Sequence, residues 1–315
     1  MPTDPRGALW VVGAGGLLGQ AIAAAARRDG RTVHRARIPW ADPDAACAAL
    51  DQSVRQLLHQ HDDLVVVWCA GAGVVATDAS AFDAERRALQ TVVEALAAET
   101  TTQRVRFFLA SSAGGVYAGS AAPPFDERTA PAPLAPYGHA KLAAEELATS
   151  LAGHRVSVFI GRIANLYGPG QDLAKAQGLI SQLCVAHLRR RPLTMYVSLD
   201  TARDHLYVDD AAQMVLRGLD LLADEPAGTV VTKILASHQP TTLASILGEV
   251  TRVAKRRLPI VLGAAPSAKF QARDLRFRST VWTELDRLAA TPLPAGIGAT
   301  LADVNARLDD PAGAR

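Results

Sequence analysis

A tyrosine and a lysine, Tyr137 and Lys141, stand four residues apart in a stretch that the sequence predicts to be helical. Residues four apart lie on one face of a helix, so the phenol and the ammonium can approach each other. A neighbouring ammonium stabilises a phenolate, and such a phenol can exchange a proton near neutral pH. The pair is therefore a candidate for proton transfer, the alternative being two ordinary surface residues of a helix.

Two serines, Ser111 and Ser112, directly follow residues 105–110, an apolar segment that we predict to be a buried strand. Open α/β sheets bind ligands at the carboxyl ends of their strands, so these hydroxyls stand where a substrate would lie. A serine hydroxyl there can donate a hydrogen bond to a substrate carbonyl or alkoxide. Both serines are therefore candidate partners of Tyr137.

A glycine-rich segment follows the first predicted strand and opens the first predicted helix. Gly13, Gly16 and Gly19 have the spacing G-x-x-G-x-x-G, which suits a dinucleotide because glycine permits the tight turn and the close approach of the pyrophosphate. The helix begins here with Leu17 and Leu18, and the N–H groups of a helix N-terminus can hold phosphates. We interpret the segment as a dinucleotide site rather than a plain turn. With the tyrosine–lysine pair it predicts hydride transfer at a carbinol carbon.

The charge that follows the second predicted strand indicates which cofactor is bound. NAD-binding folds usually have a carboxylate there for the ribose 2′-hydroxyl, but no acidic residue occurs between residues 32 and 41. Arg35 and Arg37 occupy the place instead, and Arg37 lies eighteen residues after Gly19. A guanidinium pairs well with a 2′-phosphate, so NADP(H) is favoured, NAD stays possible, and Arg37 is the first candidate. The alternative is that both arginines are solvated surface residues.

The elements that must position these groups alternate between strand and helix. Apolar strands are predicted, with helices between them, at residues 8–12, 32–36, 64–69, 105–110 and 155–160. This alternation predicts an α/β fold: a doubly wound parallel sheet of the Rossmann type with a smaller C-terminal α/β lobe for the substrate.

The predicted domains follow from the change in pattern along the chain. We expect residues 1–7 to be a tail and residues 8–170 to form the NAD(P)-binding domain. Residues 171–315 should form mainly the substrate-binding lobe, with a segment near residues 203–240 returning to the first domain.

Composition excludes several classes of function. In a chain of 315 residues, 33 basic side chains nearly balance 31 acidic ones, which argues against binding to nucleic acid or to an anionic membrane. Residues 8–26 carry no charge, but their four glycines suit a strand, a turn and a helix better than a membrane span. Cys47, Cys69 and Cys184 form no C-x-x-C pair, so we expect no metal site and a reducing, cytoplasmic location.

The glycine turn and four other short segments follow one another along the chain. They are GAGGLLG (13–19), SSAGGVY (111–117), YGHAKLAAEE (137–146), RIANLYGPGQ (162–171) and RDHLYVDDAA (203–212). In this order they resemble the motifs of the extended short-chain dehydrogenases/reductases of the NAD-dependent epimerase/dehydratase family, many of whose members act on nucleotide-activated sugars. The resemblance extends from about residue 8 to residue 222.

The resemblance assigns roles to individual residues. It implies that Tyr137 and Lys141 are the catalytic pair and that Ser112, ahead of Ser111, is the hydroxyl partner. The residues expected to contact the cofactor are Gly13, Gly16, Leu17, Leu18, Gly19, Arg35, Arg37, Ala70, Gly71, Tyr137 and Lys141.

The resemblance also implies a substrate and a partner. Asn165 and Arg203 match positions that commonly hold the phosphates of a nucleotide sugar, which is the expected small-molecule substrate. The alternative for Arg203 is a structural ion pair with Asp204. Family members often form homodimers through the helices that correspond to residues 80–99 and 136–151, so a homodimer is expected.

Some positions depart from the family's pattern. Ala113 stands where the usual spacing puts the catalytic hydroxyl, so Ser112 serves only if the loop bulges by one residue. Ala118 replaces the glycine that usually follows the VY pair. Residues 198–202 replace a glycine-containing turn before Arg203, and this change bears on the diphosphate site.

Three functions fit these patterns. The first is an NADP(H)-dependent reductase of a keto group, with a nucleotide-linked 4-keto sugar as the expected substrate. The second is a sugar-nucleotide epimerase, or after it a dehydratase, that recycles its bound NAD(P). The third is a non-catalytic NADP-binding regulator, against which the intact tyrosine and lysine argue because a sensor needs neither.

Overall fold

The computed structural model describes residues 6–71, 79–99, 102–175, 178–263 and 272–309. The strands, in chain order, are β1 (Ala8–Val12), β2 (Val33–His34), β3 (Asp63–Trp68), β4 (Arg104–Ser112), β5 (Ser157–Ile163), β6 (Asn165–Tyr167), β7 (Leu193–Met195), β8 (Ala202–Arg203), β9 (His205–Tyr207), β10 (Val230–Leu235), β11 (Thr241–Thr242), β12 (Ile260–Leu262) and β13 (Asp274–Leu275). The helices are α1 (Leu17–Arg28), α2 (Pro43–Gln60), α3 (Ala79–Glu99), α4 (Ala113–Val116), α5 (Pro136–Thr149), α6 (Leu179–Leu188), α7 (Val208–Ala223), α8 (Leu243–Ala254) and α9 (Leu293–Asp309). Short 3₁₀ helices lie at Ser150–His154 and Thr283–Leu288.

Six parallel strands form the main sheet in the order β10-β5-β4-β3-β1-β2. From β1 the chain first adds β2 on one side and then adds β3, β4 and β5 on the other. This confirms the predicted α/β fold with a doubly wound parallel sheet. Ligands of such sheets bind outside the carboxyl ends of the strands where the order reverses, which here is the crevice beside β1 and β3.

Helices cover both faces of the main sheet. One face packs against α1 and α7, and the other packs against α2, α3 and α5. The uncharged segment 8–26 forms β1, a turn and most of α1, and four of the five alanines of this helix are buried against the sheet. Within the described ranges, every helix is too short or too polar to span a bilayer.

The C-terminal part of the chain builds a smaller lobe. Its core is formed by apolar residues of α6, α8 and α9, and the short pair β7 and β12 lies beside it. Among the described residues the chain leaves this lobe at two places, because α7 and β10 join the main sheet and the segment around the 3₁₀ helix Thr283–Leu288 packs against the same core. The exact domain boundaries stay a prediction.

The second strand is shorter than the predicted residues 32–36. It pairs with β1 only through Val33 and His34, and the chain then leaves the sheet. As the last strand in the sheet order, β2 has β1 as its sole sheet partner among the described residues. Arg35 therefore follows the strand instead of lying in it. Arg37 lies three residues beyond the strand instead of directly after it.

We expect Leu50→Ala to lower the free energy of unfolding by about 2–5 kcal/mol, because Leu50 is completely buried between α2 and the sheet and its loss leaves a cavity. Urea unfolding followed by circular dichroism measures the change. Leu262→Ala is the control, since the Leu262 side chain is 66% exposed and its removal should change stability by at most about 0.5 kcal/mol. Equal losses in the two variants would contradict the packing described.

Candidate active site

The predicted dinucleotide turn lies at the carboxyl end of β1 and touches the end of β3. A Cβ at Gly13, whose φ is +84°, would stand 2.5 Å from the backbone nitrogen of Ala70. A Cβ at Gly19 would stand 2.3 Å from the carbonyl oxygen of Gly13. Both positions require glycine because no side chain fits at these distances. Gly15, by contrast, has open space where its Cβ would be, so the outer side of the turn is accessible to a ligand.

The helix that follows the turn presents its N-terminus to the same crevice. Its N-cap is Gly16, no side chain caps the helix, and the first turn contains no acidic residue. The first N–H groups of such a helix have no partner within the helix and can bind a phosphate. The side chain of Leu18 is buried in the core and that of Leu17 is half-buried, so the contribution of both to a phosphate site is their backbone N–H.

The two arginines that follow β2 lie at different distances from the turn. Arg35 lines a cavity of about 550 Å³ together with Ala14 and Gly15 of the turn, and Asp209 lines the same cavity. Arg37 is exposed two residues further along the chain and is not part of this lining. The geometry thus places Arg35 nearer the turn than the sequence spacing suggests.

The tyrosine–lysine pair lies on α5 and faces the carboxyl end of β4. Tyr137 is in the first turn of the helix, and Lys141 Nζ stands 5.6 Å from the centre of its ring. The same ammonium donates a hydrogen bond to the carbonyl oxygen of Ala110 at 3.3 Å. The four-residue spacing therefore brings both side chains to one edge of the sheet, and both are half-buried there.

Ser112 ends β4 and stands beside the tyrosine. Its Oγ accepts a hydrogen bond from the backbone N–H of Gly115 at 3.1 Å, which caps the short helix α4. A Cβ at Gly115 would lie 3.0 Å from the ring of Tyr137 and 3.3 Å from Ser112 Oγ. The phenol ring and the hydroxyl thus flank one glycine, and the hydroxyl keeps its own proton to donate. Ala113, at the family's usual hydroxyl position, is completely buried.

Ser111 has a different environment. Successive residues of a strand point to opposite sides, and Ser111 Oγ donates a buried hydrogen bond to the carboxylate of Glu145 on α5. Glu145 in turn forms an ion pair with Arg162 on β5. Sequence reasoning did not single out Glu145 or Arg162, although the four-residue spacing from Lys141 to Glu145 puts both on one helix face.

Ala70 and Gly71 connect the glycine turn to the tyrosine–lysine pair. Ala70 touches Gly13, as described above, and Gly71 is exposed. A Cβ at Gly71 would lie 3.6 Å from Lys141 Nζ and 3.4 Å from a carboxylate oxygen of Glu85. The glycine cradle, the uncapped helix and this exposed glycine follow one another along the crevice, and together they fit an extended dinucleotide cofactor.

The residues predicted to hold the substrate lie across from Ser112. Asn165 is exposed, and its amide oxygen stands 4.0 Å from the position of a Cβ at Gly114. Leu275 of β13 also approaches Gly114, at 3.7 Å. Leu275 in turn pairs in register with Arg203 of β8, so the smaller lobe brings the arginine towards the same side of the site.

Arg203 is not paired with its neighbour in sequence. Asp204 accepts hydrogen bonds from the backbone N–H and the hydroxyl of Ser237, and the guanidinium of Arg203 donates to the carbonyl oxygens of Ala202 and Ala272. Burial lowers the pKa of Arg203 to about 10, which leaves it charged at neutral pH. The alternative of an Arg203–Asp204 ion pair is therefore not found.

Residues 9–232 match the NAD dependent epimerase/dehydratase family. The chain belongs to this family. The match covers more than half of the chain and includes the glycine turn, both serines, the tyrosine–lysine pair and the Arg203 segment. It confirms the family that the sequence motifs indicate, one of NAD(P)-dependent oxidoreductases and epimerases.

Similar proteins are known at the level of sequence and of fold. The dTDP-4-dehydro-6-deoxyglucose reductase of Escherichia coli is 32% identical over 119 residues, which are 36% of this chain and 36% of that protein. The chain thus matches little more than a third of the length of this curated relative. The UDP-glucose 4-epimerase of Thermotoga maritima with UDP-glucose has the same fold, with a TM-score of 0.79, 19% identity, and coverage of 95% of this chain and 99% of that chain. RMD from Pseudomonas aeruginosa complexed with NADPH has a TM-score of 0.72 at 23% identity and covers 97% and 99% of the two chains.

The environments of the two serines predict opposite effects of their removal. Ser112→Ala should lower kcat by about 10²–10³-fold, as loss of one oriented donor to a developing oxyanion does, and should lower stability only by about 0.5–2 kcal/mol, the cost of losing the α4 N-cap. Ser111→Ala should lower stability by about 1–3 kcal/mol, because a buried acceptor loses its donor, and should leave most of the activity. Steady-state kinetics and urea unfolding of both variants measure this. A larger loss of kcat in Ser111→Ala would show that the site uses the other hydroxyl.

Proposed function

We propose that this chain is an NADP(H)-dependent oxidoreductase that reduces a keto group on a nucleotide-activated sugar. The observation that carries the proposal is that the Tyr137 ring and Ser112 Oγ lie 3.0 Å and 3.3 Å from the same point, the Cβ position of Gly115, with Lys141 one turn along the helix. We infer that the two hydroxyl groups act on one carbonyl oxygen. A carbonyl that accepts a hydride at carbon needs a proton and a hydrogen-bond donor at that oxygen.

The residues of this chain would divide the work at the carbonyl oxygen. A nicotinamide cofactor, when bound along the glycine turn, would supply the hydride chemistry at the carbonyl carbon. Tyr137 donates its proton to the oxygen, and Ser112 donates a hydrogen bond to the same atom and stabilises the charge that develops there. Lys141, held on the carbonyl oxygen of Ala110, places a positive charge beside the tyrosine as it loses its proton. Water then returns a proton to the phenolate.

The cofactor preference is argued from charge. Arg35 lines the cavity next to the glycine turn, Arg37 follows two residues later, and no acidic residue lies between residues 32 and 41 to grip a ribose 2′-hydroxyl. A guanidinium can hold a 2′-phosphate through two parallel hydrogen bonds. One structure of similar fold contains NADPH and several others contain NAD, so the argument for NADP rests on the two arginines. NAD is the alternative cofactor.

The substrate class is argued from the other side of the site. Arg203 is charged and its guanidinium donates to backbone carbonyl oxygens, and although the charge of Asp274 acts on it, it forms no ion pair among the described residues, so it can attract a diphosphate. Asn165 offers an exposed amide beside Gly114. The reductase and the epimerase described above both act on nucleotide sugars, which supports this class. A homodimer through α3 and α5 and a cytoplasmic location stay predictions from the sequence.

A sugar-nucleotide epimerase is the second candidate, and the similarity to the epimerase of Thermotoga maritima favours it. The same tyrosine, lysine and serine can remove a proton from a hydroxyl and later return it, while the cofactor is reduced and oxidised in turn. The two reactions differ in the amount of cofactor that they consume. A reductase consumes one cofactor for each product, and an epimerase consumes none.

The reductase proposal predicts that NADPH is oxidised in equal amount to product when the protein meets a nucleotide-linked 4-keto sugar. Absorbance of NADPH and chromatography of the sugar nucleotide measure the two amounts. Tyr137→Phe should lower kcat by about 10²–10⁴-fold and leave NADPH affinity nearly unchanged, because it removes only the proton donor. Conversion of a sugar nucleotide without net oxidation of cofactor would establish the epimerase instead, and full activity of Tyr137→Phe would overturn the mechanism.

The cofactor proposal predicts that an acidic residue at the phosphate site reverses the preference. Arg35→Asp and Arg37→Asp should each weaken NADPH binding and spare NADH binding, with a shift in preference of at least about tenfold, since one charge-assisted hydrogen bond contributes about 1.5–3 kcal/mol. We expect the larger shift at Arg35, because it lines the cavity beside the turn. Fluorescence titration of both cofactors against the three proteins decides the matter. Equal affinities of the unsubstituted chain for NADPH and NADH would refute the NADP assignment.

A further inference from the structure

A buried ion pair lies directly beneath the proton-transfer residues. Glu145 is on α5, four residues after Lys141 and eight after Tyr137, so the three side chains share one face of the helix. Its partner, Arg162, is on β5. Glu145 is 6% exposed and Arg162 is 8% exposed, which makes this a charged pair inside the protein.

The pair connects three elements through directional hydrogen bonds. Arg162 Nε donates to both carboxylate oxygens of Glu145, at 3.1 and 3.2 Å, and Nη2 donates to Oε2 at 2.7 Å. The hydroxyl of Ser111 on β4 donates to Oε1. The carboxylate is therefore fully occupied, and it joins α5 to β4 and β5 at one point, one residue from Ser112.

The other arm of the guanidinium reaches the loop that follows Ser112. Arg162 Nη1 donates to the hydroxyl of Tyr117, and this hydroxyl donates to the backbone oxygen of Asp126 at 3.0 Å. Burial raises the pKa of Tyr117, so the phenol keeps the proton that it donates. The segment between Ser112 and Tyr117, which contains Gly115, is thus fixed at both ends.

The contact between the helix and this segment leaves little freedom of movement. A Cβ at Gly138, next to Tyr137, would stand 2.3 Å from the carbonyl oxygen of Gly115. The backbone of α5 thus lies directly on the segment that carries Ser112. A small shift of the helix would change the separation between the phenol and the serine hydroxyl, on which proton transfer depends.

We propose that Glu145 and Arg162 are positioning residues, which hold the Tyr137–Lys141 face of α5 at a set distance from Ser112. This inference rests on the proposed function, in which those three residues act on one substrate oxygen. A purely stabilising role does not account for the pair, because apolar residues of similar volume hold a buried helix as well as an ion pair does. A bidentate guanidinium–carboxylate pair adds a fixed direction and register, which apolar contacts lack.

The decisive test is a variant that removes the charges but keeps the core filled. The triple variant is Ser111→Ala, Glu145→Met, Arg162→Met, and it leaves no buried charge and no orphaned serine hydroxyl at this position. We therefore expect its midpoint of unfolding in urea to be close to that of the unsubstituted protein. Its kcat should fall about 10–100-fold, as it does when reacting groups are misplaced by about an ångström. KM and the affinity for NADPH should stay within about threefold, because the binding residues are untouched.

A conservative variant keeps the inference testable should the triple variant fail to fold. Glu145→Asp retains the charge and withdraws the carboxylate by one methylene, and we expect its kcat to fall about tenfold with cofactor affinity unchanged. The matched control on the same helix is Glu146→Gln, an exposed neighbour that should have unsubstituted kcat. Leu50→Ala is the stability control, since it is destabilised away from the site and should keep kcat at temperatures where it is folded.

The outcomes separate this inference from the proposed function. Each result is a ratio of kcat between variants, so it applies to net reduction and to epimerisation alike. If Tyr137→Phe is inactive while the triple variant and Glu145→Asp both keep kcat within about twofold, the positioning role is wrong and the chemistry stands. A loss of kcat that only follows loss of folded protein or of NADPH affinity would also overturn the positioning role. If Tyr137→Phe is fully active, the proposed chemistry itself fails.

Discussion

The close approach of two backbones at Gly13 is the constraint on which the rest of the structure depends. The turn after β1 passes so near the end of β3 that Gly13 has no room for a side chain, and Gly19 lies so close to the backbone of Gly13 that it has none either. Because the turn is this tight, α1 begins directly at the carboxyl ends of the central strands. Its uncapped N-terminus therefore faces the crevice at which a doubly wound sheet binds ligands. The proposed cofactor site is thus set by backbone geometry, and in our proposal the charges of Arg35 and Arg37 add only selectivity.

The proton-transfer residues depend on the way α5 is held against the sheet. Tyr137 and Lys141 come from the helix and Ser112 comes from the end of β4, so their separation is a property of the packing between these elements. Besides its apolar contacts with the core, α5 is held there by the Lys141 bond to Ala110, the backbone approach at Gly138 and the buried Glu145–Arg162 pair. The pair lies just below the site. It contacts neither Gly115 nor the ring of Tyr137 directly, which suits a role in alignment.

The smaller lobe supplies the opposite wall of the site. Its strand β13 brings Leu275 to Gly114 of α4, Arg203 lies beside Leu275 on the neighbouring strand β8, and Asn165 of β6 also approaches Gly114. Arg203 is buried, yet its hydrogen bonds go to carbonyl oxygens, and a carbonyl does not neutralise a positive charge. In the proposed function this charge attracts an anionic substrate, although Asp274 also acts on it. This fits a nucleotide sugar that would lie between the sheet and the lobe.

Local sequence alone determined the turn, the helix that carries Tyr137 and Lys141, the parallel sheet and the family, because each depends on spacing within a few residues or on motif order. The sequence could not decide between Ser111 and Ser112, because neighbouring residues of a strand face opposite sides. Only the packing of α5 against β4 shows that Ser111 faces Glu145 and that Ser112 lies beside Tyr137. The sequence also placed Arg37 ahead of Arg35, because the early end of β2 depends on pairing with β1. Glu145 and Arg162 are seventeen residues apart in the chain, and they meet only because α5 packs across β4 and β5. Tertiary structure decided these points because each is a contact between elements that no local spacing encodes.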